Sequence, residues 1–384
     1  LKITIENFKS LKHIEIELAD ATVLIGPPAT GKSNILDAIA FVGYFHRFSV
    51  LAEEYGSNAH FLEPLMSIAR FSDPQNLFSF YDTSQDVVIS VSGETNVKCD
   101  VRPEHGSVRV YINDVEIPWN IGTSPAVVRT NVIDAVKSAG ALFEARLYGY
   151  DRYGLGVQSC SAILCGFSYL ISSATYAKPY PVNILSDLGW NAINILSKSP
   201  RVVSDINREL AEGFNVKVKI NILRSGEVRI FDGDVEMPYD ANSDGVLRAL
   251  YTLLALSSAT NYAKVHGLEK RFAMLLEEPE AHTFPFLLRL LVNYIKKASR
   301  KVYIVISTHN PLLPTALRDE IENFKAYYVY RDESGYTNIA ELDMDKMARD
   351  LITFEDIMSR NPNDVLREYV LKEVVEGEDS DYYG

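Results

Sequence analysis

The stretch GPPATGKS (26–33) has glycines, a lysine and a serine at the spacing G-x-x-x-x-G-K-S. Glycines let the backbone curl so that successive N–H groups converge on phosphate oxygens. Gly26, Pro27, Ala29, Thr30, Gly31, Lys32, Ser33 and Asn34 are therefore the expected cradle of a polyphosphate. Lys32 is positioned to set its charge between the β- and γ-phosphates, and the Ser33 hydroxyl is a hard oxygen ligand for Mg²⁺. Pro27 and Pro28 each remove an N–H, so the first half of the loop is stiffer and supplies fewer donors. The expected ligands are ATP and Mg²⁺.

Three more stretches carry chemistry. RFAMLLEEPEAH (271–282) reads as a short buried strand ending in adjacent glutamates. Two carboxylates side by side are unfavourable to bury without a cation, and bound Mg·ATP lowers that cost. Successive strand residues point to opposite sides, so Glu277 is expected at the metal and Glu278 at the attacking water as general base. Taken alone, the pair also fits two surface glutamates at a strand end. KVYIVISTHN (301–310) is a second buried strand, and His309 falls just past its end, where α/β sheets bind ligands. It is expected to donate to the γ-phosphate, although a surface histidine would look the same. YDANSDGVLRALYTLLAL (239–256) sets Ser243, Asp244 and Gly245 at a helix start, a second anion site that shares its residue types with an ordinary N-cap.

The elements that must position these residues follow from periodicity. Leu1, Ile3 and Ile5, then Ile14, Ile16 and Leu18, alternate with polar residues as two strands around a turn at 7–10. A signal peptide would instead have a continuously apolar core. TVLI (22–25) leads into the glycine loop, and Ile35, Ile39 and Val42 recur at helical spacing to about Phe45. Residues 86–118 are strand-like, a helix is expected from Ser124-Pro125, and YGYDRYGLGVQ (148–158) reads as a Gly- and Tyr-rich loop. Helices follow to about Ala211, then a meander over 215–238, then α/β alternation to Ser307. GSVRVYINDVEIPWN (106–120) and GEVRIFDGDVEMPYD (226–240) share seven identities, each preceded by Asn-Val-Lys. They read as one strand–turn–strand unit used twice, too few copies for a solenoid.

Composition narrows the classes. The 384 residues suffice for one large two-lobed domain or a few small ones. Hydrophobic residues at 47% and charged residues at 23% exclude wholesale disorder. A net charge of −13 disfavours non-specific nucleic-acid binding, leaving local basic clusters at 296–301 and at Lys198, Arg201 and Arg208 as candidates. Helix C-terminal charge complementing the dipole also explains the first cluster. Cys99, Cys160 and Cys165 cannot form a disulfide framework, which fits a reducing compartment, and cytoplasmic localisation is expected. No apolar run reaches the ~18 residues of a membrane helix, so no membrane partner is expected.

Taken in order, G-x4-GKS, NSDG with its leucine-rich helix, LLEEPEAH and STH resemble the ABC-class ATPases of the AAA-domain, OLD, RecF and SMC kind. NFKS (7–10) and LSDLGWNAINIL (185–196) are also similar to that group. The resemblance implies an α/β P-loop NTPase of ABC-ATPase type: a Rossmann-like core lobe with an antiparallel β subdomain, and a helical signature lobe. Its expected extents are 1–123 with 265–345 for the core, 124–264 for the signature lobe with its inserted β-hairpin, and 346–384 for a C-terminal helical segment and acidic tail.

It further implies an ATP-dependent head-to-tail homodimer in which Ser243 and Gly245 reach the γ-phosphate of the other subunit. Glu277 takes the place usual for a metal-binding aspartate, Glu278 is the base and His309 the switch histidine. Pro28, Asn242 and Phe284 depart from the group's pattern, and none of Gln75, Gln85 and Gln158 stands in a nucleotide-sensing motif. The implied activity is Mg-dependent ATP hydrolysis driving a dimerisation switch that controls DNA, RNA or an effector protein. The alternatives are an OLD-type gated nuclease, for which Asp343-Met344-Asp345 is an isolated acidic pair, and a nucleotide-gated binding module with little hydrolysis. The 210 residues between Ser33 and Ser243 are too many for a membrane transporter's nucleotide-binding subunit.

Overall fold

The N-terminal alternation folds as a hairpin of β1 (Lys2–Phe8) and β2 (Leu11–Glu17), with Ile3, Ile5, Ile14 and Ile16 buried on one face. The structure, a computed structural model, describes residues 1–47, 50, 65–104, 107–118, 130–140, 142–149, 184–185, 195–196, 199–214, 217–222, 228–237, 244–281 and 285–371. The apolar run before the glycine loop is β3 (Ala21–Ile25), buried at every position, and α1 (Lys32–Tyr44) follows the loop. Residues 86–118 form β4 (Val87–Ser92), β5 (Val97–Glu104), β6 (Ser107–Ile112) and β7 (Val115–Ile117). The helix start expected at Ser124 lies outside the described residues; α2 (Thr130–Ala139) begins further on.

The next element corrects the sequence reading. Tyr148 and Gly149, read as loop, close β8 (Glu144–Gly149), which pairs in parallel with a strand of the main sheet. Glu144 and Arg146 disguise it, because charges argue against a buried strand until they are seen to pair. Arg146 donates to Glu144 at 2.8 Å, and the Tyr262 hydroxyl donates to the same carboxylate at 2.8 Å. Burial alone would raise the Glu144 pKa, but Arg146, His46 and Arg47 hold it at about 2.

The chain continues through α3 (Pro200–Phe214), β9 (Val218–Ile222), β10 (Val228–Asp232), β11 (Val235–Met237) and α4 (Asp244–Val265). The alternating part is β12 (Phe272–Glu277), α5 (Pro285–Ser299), β13 (Tyr303–Ser307), α6 (Leu312–Glu320), β14 (Phe324–Arg331) and β15 (Thr337–Glu341). Short helices α7 (Met344–Arg349), α8 (Phe354–Ser359) and α9 (Pro362–Glu368) follow, and the acidic tail lies outside the described residues.

Twelve strands form one sheet in the order β7-β6-β5-β4-β1-β2-β15-β14-β3-β13-β12-β8. From β14 to β8 the strands are parallel, while β1, β2 and β4–β7 form an antiparallel wing. The parallel strands ATVLI, FAMLLE and YIVIS are nearly continuous apolar runs, as strands covered on both faces must be. Helix α4 packs against α3, α5 and β12, and α3 also packs on the separate sheet β11-β10-β9. The Tyr294 hydroxyl of α5 donates to Asp205 of α3 at 2.7 Å.

The two similar sequence units share one register. Val110 faces Ile117 as Ile230 faces Met237, and Cys99 faces Ile112 as Val218 faces Asp232. Asn113 and Gly233 make equivalent backbone bonds to the carbonyls of Lys98 and Lys217. One copy extends the main sheet and the other stands alone with α3.

Helix α1 crosses β8 so closely that a Cβ on Gly43 would lie 2.2 Å from the Ala145 nitrogen. Gly43→Ala is therefore expected to destabilise the protein by about 1–3 kcal/mol. The check is a urea titration, in which the midpoint should fall with an unchanged slope.

Candidate active site

Parallel register brings the sequence motifs to one edge. Glu277 pairs with Ser307, and Ser307 with Leu24, so β12, β13 and β3 end level, with the glycine loop beside them. The loop then turns into α1 through Gly31, at φ 102, where a Cβ would lie 2.1 Å from Thr337 Oγ1. Only glycine tolerates both conditions. Thr337 Oγ1 donates to the Thr30 carbonyl at 2.7 Å, and Asn34 Nδ2 donates to Ser10 Oγ at 2.7 Å, which itself lies 2.7 Å from Thr337 Oγ1. NFKS thus braces the start of α1 through Ser10.

Lys32 is buried and donates to the carbonyls of Gly26 at 2.9 Å and Pro27 at 2.7 Å. Burial lowers its pKa to about 8, against the pull of Glu278. Ser33 Oγ donates to Glu277 Oε1 at 2.5 Å. Those two oxygens are the hard donors that Mg²⁺ takes, at the start of a phosphate loop, so the residues present fit that ion.

Glu278 does not reach its place by strand alternation, as the sequence reading expected. Strand β12 ends at Glu277, and Glu278 turns away with φ 42 while its N–H donates to the Ser307 carbonyl at 2.9 Å. This left-handed kink costs about 1 kcal/mol and takes Glu278 out of the alternation of the strand. Glu278 Oε1 lies 3.7 Å from His309 Nε2, and both side chains are about half exposed. The His309 pKa is lowered, first by burial and then by Lys32, with Glu278 opposing.

Three further charged side chains, none given a role from the sequence, join these groups. Arg70 pairs with Glu277 through Nη1, donates to Asp37 Oδ1 at 2.8 Å through Nε and to the Ser33 carbonyl at 3.1 Å. Lys9, in NFKS, donates to Asp37 Oδ2 at 2.6 Å. Arg248, one turn into α4, donates to the Glu278 carbonyl at 3.2 Å. This last contact ties the helix that begins at Asp244 and Gly245 to the site of its own chain. Ser243 lies outside the described residues, as do the side chain of Asp244 and the positions of Asn242 and Phe284.

Other sequence candidates turn out engaged elsewhere. Lys296 pairs with Glu320 at 2.6 Å and Lys301 with Glu269 at 2.7 Å. Arg208 lies 3.1 Å and Arg201 3.9 Å from Asp205. The Asp343 carboxylate accepts from Lys346 N at 2.8 Å as the N-cap of α7. No group of three or more His, Cys, Asp or Glu side chains suited to a metal occurs among the described residues. No helix among them is long and apolar enough to cross a membrane.

A phosphate loop after one strand of a parallel sheet, a histidine after the neighbouring strand and two glutamates at the end of the next define the fold of a P-loop ATPase of the AAA/ABC type. Residues 21–315 match the family described as "AAA domain, putative AbiEii toxin, Type IV TA system", and the chain belongs to that family. A comparison with functionally curated proteins gives no match. Similar solved structures include an SMC head bound to the C-winged helix domain of ScpA, at 17% identity and TM-score 0.47, covering 91% of this chain and 98% of that one. An Smc head domain with an extended coiled coil, bound to the C-terminal domain of ScpA derived from Pyrococcus furiosus, has 15% identity and TM-score 0.47, with 93% and 98% covered. The SMC head domain from Thermotoga maritima has 17% identity and TM-score 0.41, with 89% and 98% covered.

Glu280 is buried beside Thr308, whose hydroxyl donates to Oε1, while Oε2 has no hydrogen-bond partner among the described residues. Burial pushes its pKa from 4.5 up to about 7. Between those values the native state holds a proton that the unfolded chain has lost, so stability falls as pH rises through the window. Chemical denaturation of the ligand-free protein from pH 4.5 to 7.5 is expected to show this decline, at most ~3 kcal/mol, and Glu280→Gln should flatten it.

Proposed function

We propose that the protein binds and hydrolyses Mg·ATP and that the nucleotide closes a head-to-tail dimer of two copies of the chain. The supporting observation is the convergence of Lys32, Ser33, Glu277, Glu278 and His309 at the level ends of three adjacent parallel strands.

In this reading the loop N–H groups and the start of α1 hold the phosphates, and Lys32 keeps its full charge once a phosphate replaces the carbonyls it now contacts. Glu278 accepts the proton of the attacking water at its carboxylate. His309, its pKa lowered, donates one N–H to a γ-phosphate oxygen. Ser33 and Glu277 would hold Mg²⁺, which when bound offsets charge on the phosphate oxygens. Arg70 is the counter-ion of Glu277 in the free protein.

Glu278 and His309 stand about half exposed, so the γ-phosphate side of the site is open to solvent. The turn at Ser243, Asp244 and Gly245 of a second copy would cover it. Each charge-assisted bond to the γ-phosphate contributes about 1.5–3 kcal/mol, and several together can offset the entropy of joining two subunits. Hydrolysis removes that bridge. The basic residues Lys296 and Lys301 are paired with carboxylates and the chain is acidic, which favours an effector protein over nucleic acid as the partner the switch controls.

Lys32→Ala should abolish ATP binding in a calorimetric titration, and retained affinity would sink the assignment of the loop. Glu278→Gln should slow phosphate release ~10²–10⁴-fold while ATP still binds. Sedimentation should then show the dimer accumulating with ATP; a variant that turns over at the wild-type rate would remove Glu278 from the mechanism.

A further inference from the structure

Two aromatic residues stand in an unfavourable position with no structural use in the core. Phe80 and Tyr81 have consecutive left-handed backbones, at φ 48 and φ 62, and remain 54% and 67% exposed. Such conformations are costly for bulky residues, and burial offers these two little in return. The turn that carries them is nevertheless anchored. Phe78 bridges to Phe8 of β1, and Ser79 Oγ donates to the Leu11 carbonyl of β2 at 3.0 Å.

The Phe80 ring meets Tyr336 at 4.8 Å between centroids and 72° between planes. Gly335, at φ 82, lies against the same ring, where a Cβ would make an ordinary contact 3.7 Å from Phe80 Cζ. Lys12 Nζ lies 5.1 Å from the centre of the Tyr336 ring. The cluster is also fastened to the phosphate loop. Arg331 Nε donates to the Ala29 carbonyl at 2.9 Å and its Nη1 to the Gly335 carbonyl at 2.5 Å. Thr337, next to Tyr336, donates to the Thr30 carbonyl at 2.7 Å and lies 2.7 Å from the Ser10 hydroxyl that accepts from Asn34.

The direction of a bound nucleotide follows from strand order. Glu278 and His309 end β12 and β13, on one side of β3, whereas β14, β15 and β2 lie on the other. A triphosphate with its γ-phosphate at Glu278 and its inner phosphates over Ser33 and Asn34 therefore points its nucleoside toward Ser10, Tyr336 and Phe80. A planar aromatic ring held half out of the fold, as Phe80 is, is suited to stacking against a nucleobase.

We propose that Phe80, held edge-to-face by Tyr336, is the stacking platform for the base of the bound nucleotide. This rests on the loop being a nucleotide site, as read above. It makes the stretch 78–81, which no motif marks, the part of the chain that distinguishes a nucleoside triphosphate from bare polyphosphate.

The test compares Mg·ATP with inorganic tripolyphosphate by titration calorimetry on the full chain, as wild type, Phe80→Ala and Phe80→Trp. Phe80→Ala should weaken ATP roughly 5- to 100-fold and leave tripolyphosphate within twofold. Phe80→Trp should bind ATP as the wild type does, with its indole fluorescence quenched by ATP and not by tripolyphosphate. Because Phe80 is exposed, both variants should keep the wild-type unfolding midpoint. Phe80→Ala binding ATP as tightly as the wild type overturns the platform, as does a wild type that binds ATP no more tightly than tripolyphosphate. If the wild type binds neither probe, the nucleotide site itself falls and the platform with it.

Discussion

Ser33 Oγ and Glu277 Oε1, 2.5 Å apart and 244 residues distant in the chain, mark the contact on which the rest of the site depends. It exists because β12, β13 and β3 are parallel neighbours whose ends are level. A parallel sheet buried on both faces leaves its strand ends as the place where polar groups and helix N-termini can meet. A one-residue slip in β12 would turn Glu277 to the other face, away from Ser33. The buried apolar runs of these strands therefore act on the chemistry indirectly, by holding register.

Collecting charge at that edge requires counter-charge. Glu277 meets Arg70, Asp37 meets both Lys9 and Arg70, and Lys32 meets the carbonyls of Gly26 and Pro27. Burial opposes the ionisation of both Asp37 and Lys9, and their contact at 2.6 Å opposes burial. The network links β1, α1, the stretch after it and β12, so the phosphate loop sits on a frame of ion pairs rather than on apolar packing alone. Among the described residues, Lys32 has no carboxylate in direct contact.

The same logic explains β8. A strand with Glu144 and Arg146 inside the protein is stable because the two pair with each other, with His46 and Arg47 just past the end of α1, and with Tyr262 of α4. The cost of burying charge is met within one network that joins three elements, and the close approach of α1 to Ala145 depends on that strand being there.

The glycine loop, the two apolar strands ending in Glu277 and Ser307 and the helix opening at Asp244 were legible in the sequence because local rules govern them: periodicity, glycine geometry and residue chemistry within about ten positions. The shared register of the two meanders was legible for the same reason, since turn and strand lie in one short stretch. Strand β8, the kink at Glu278, and the places of Arg70, Arg248 and Phe80 were not. Each depends on a partner far along the chain, Arg70 on Glu277 across 207 residues, and pairing of that range leaves no periodic trace. Sequence alone determined which groups the chain carries and the local form that presents them; tertiary structure decided which of them meet, because only packing selects among contacts that are equally permitted by chemistry.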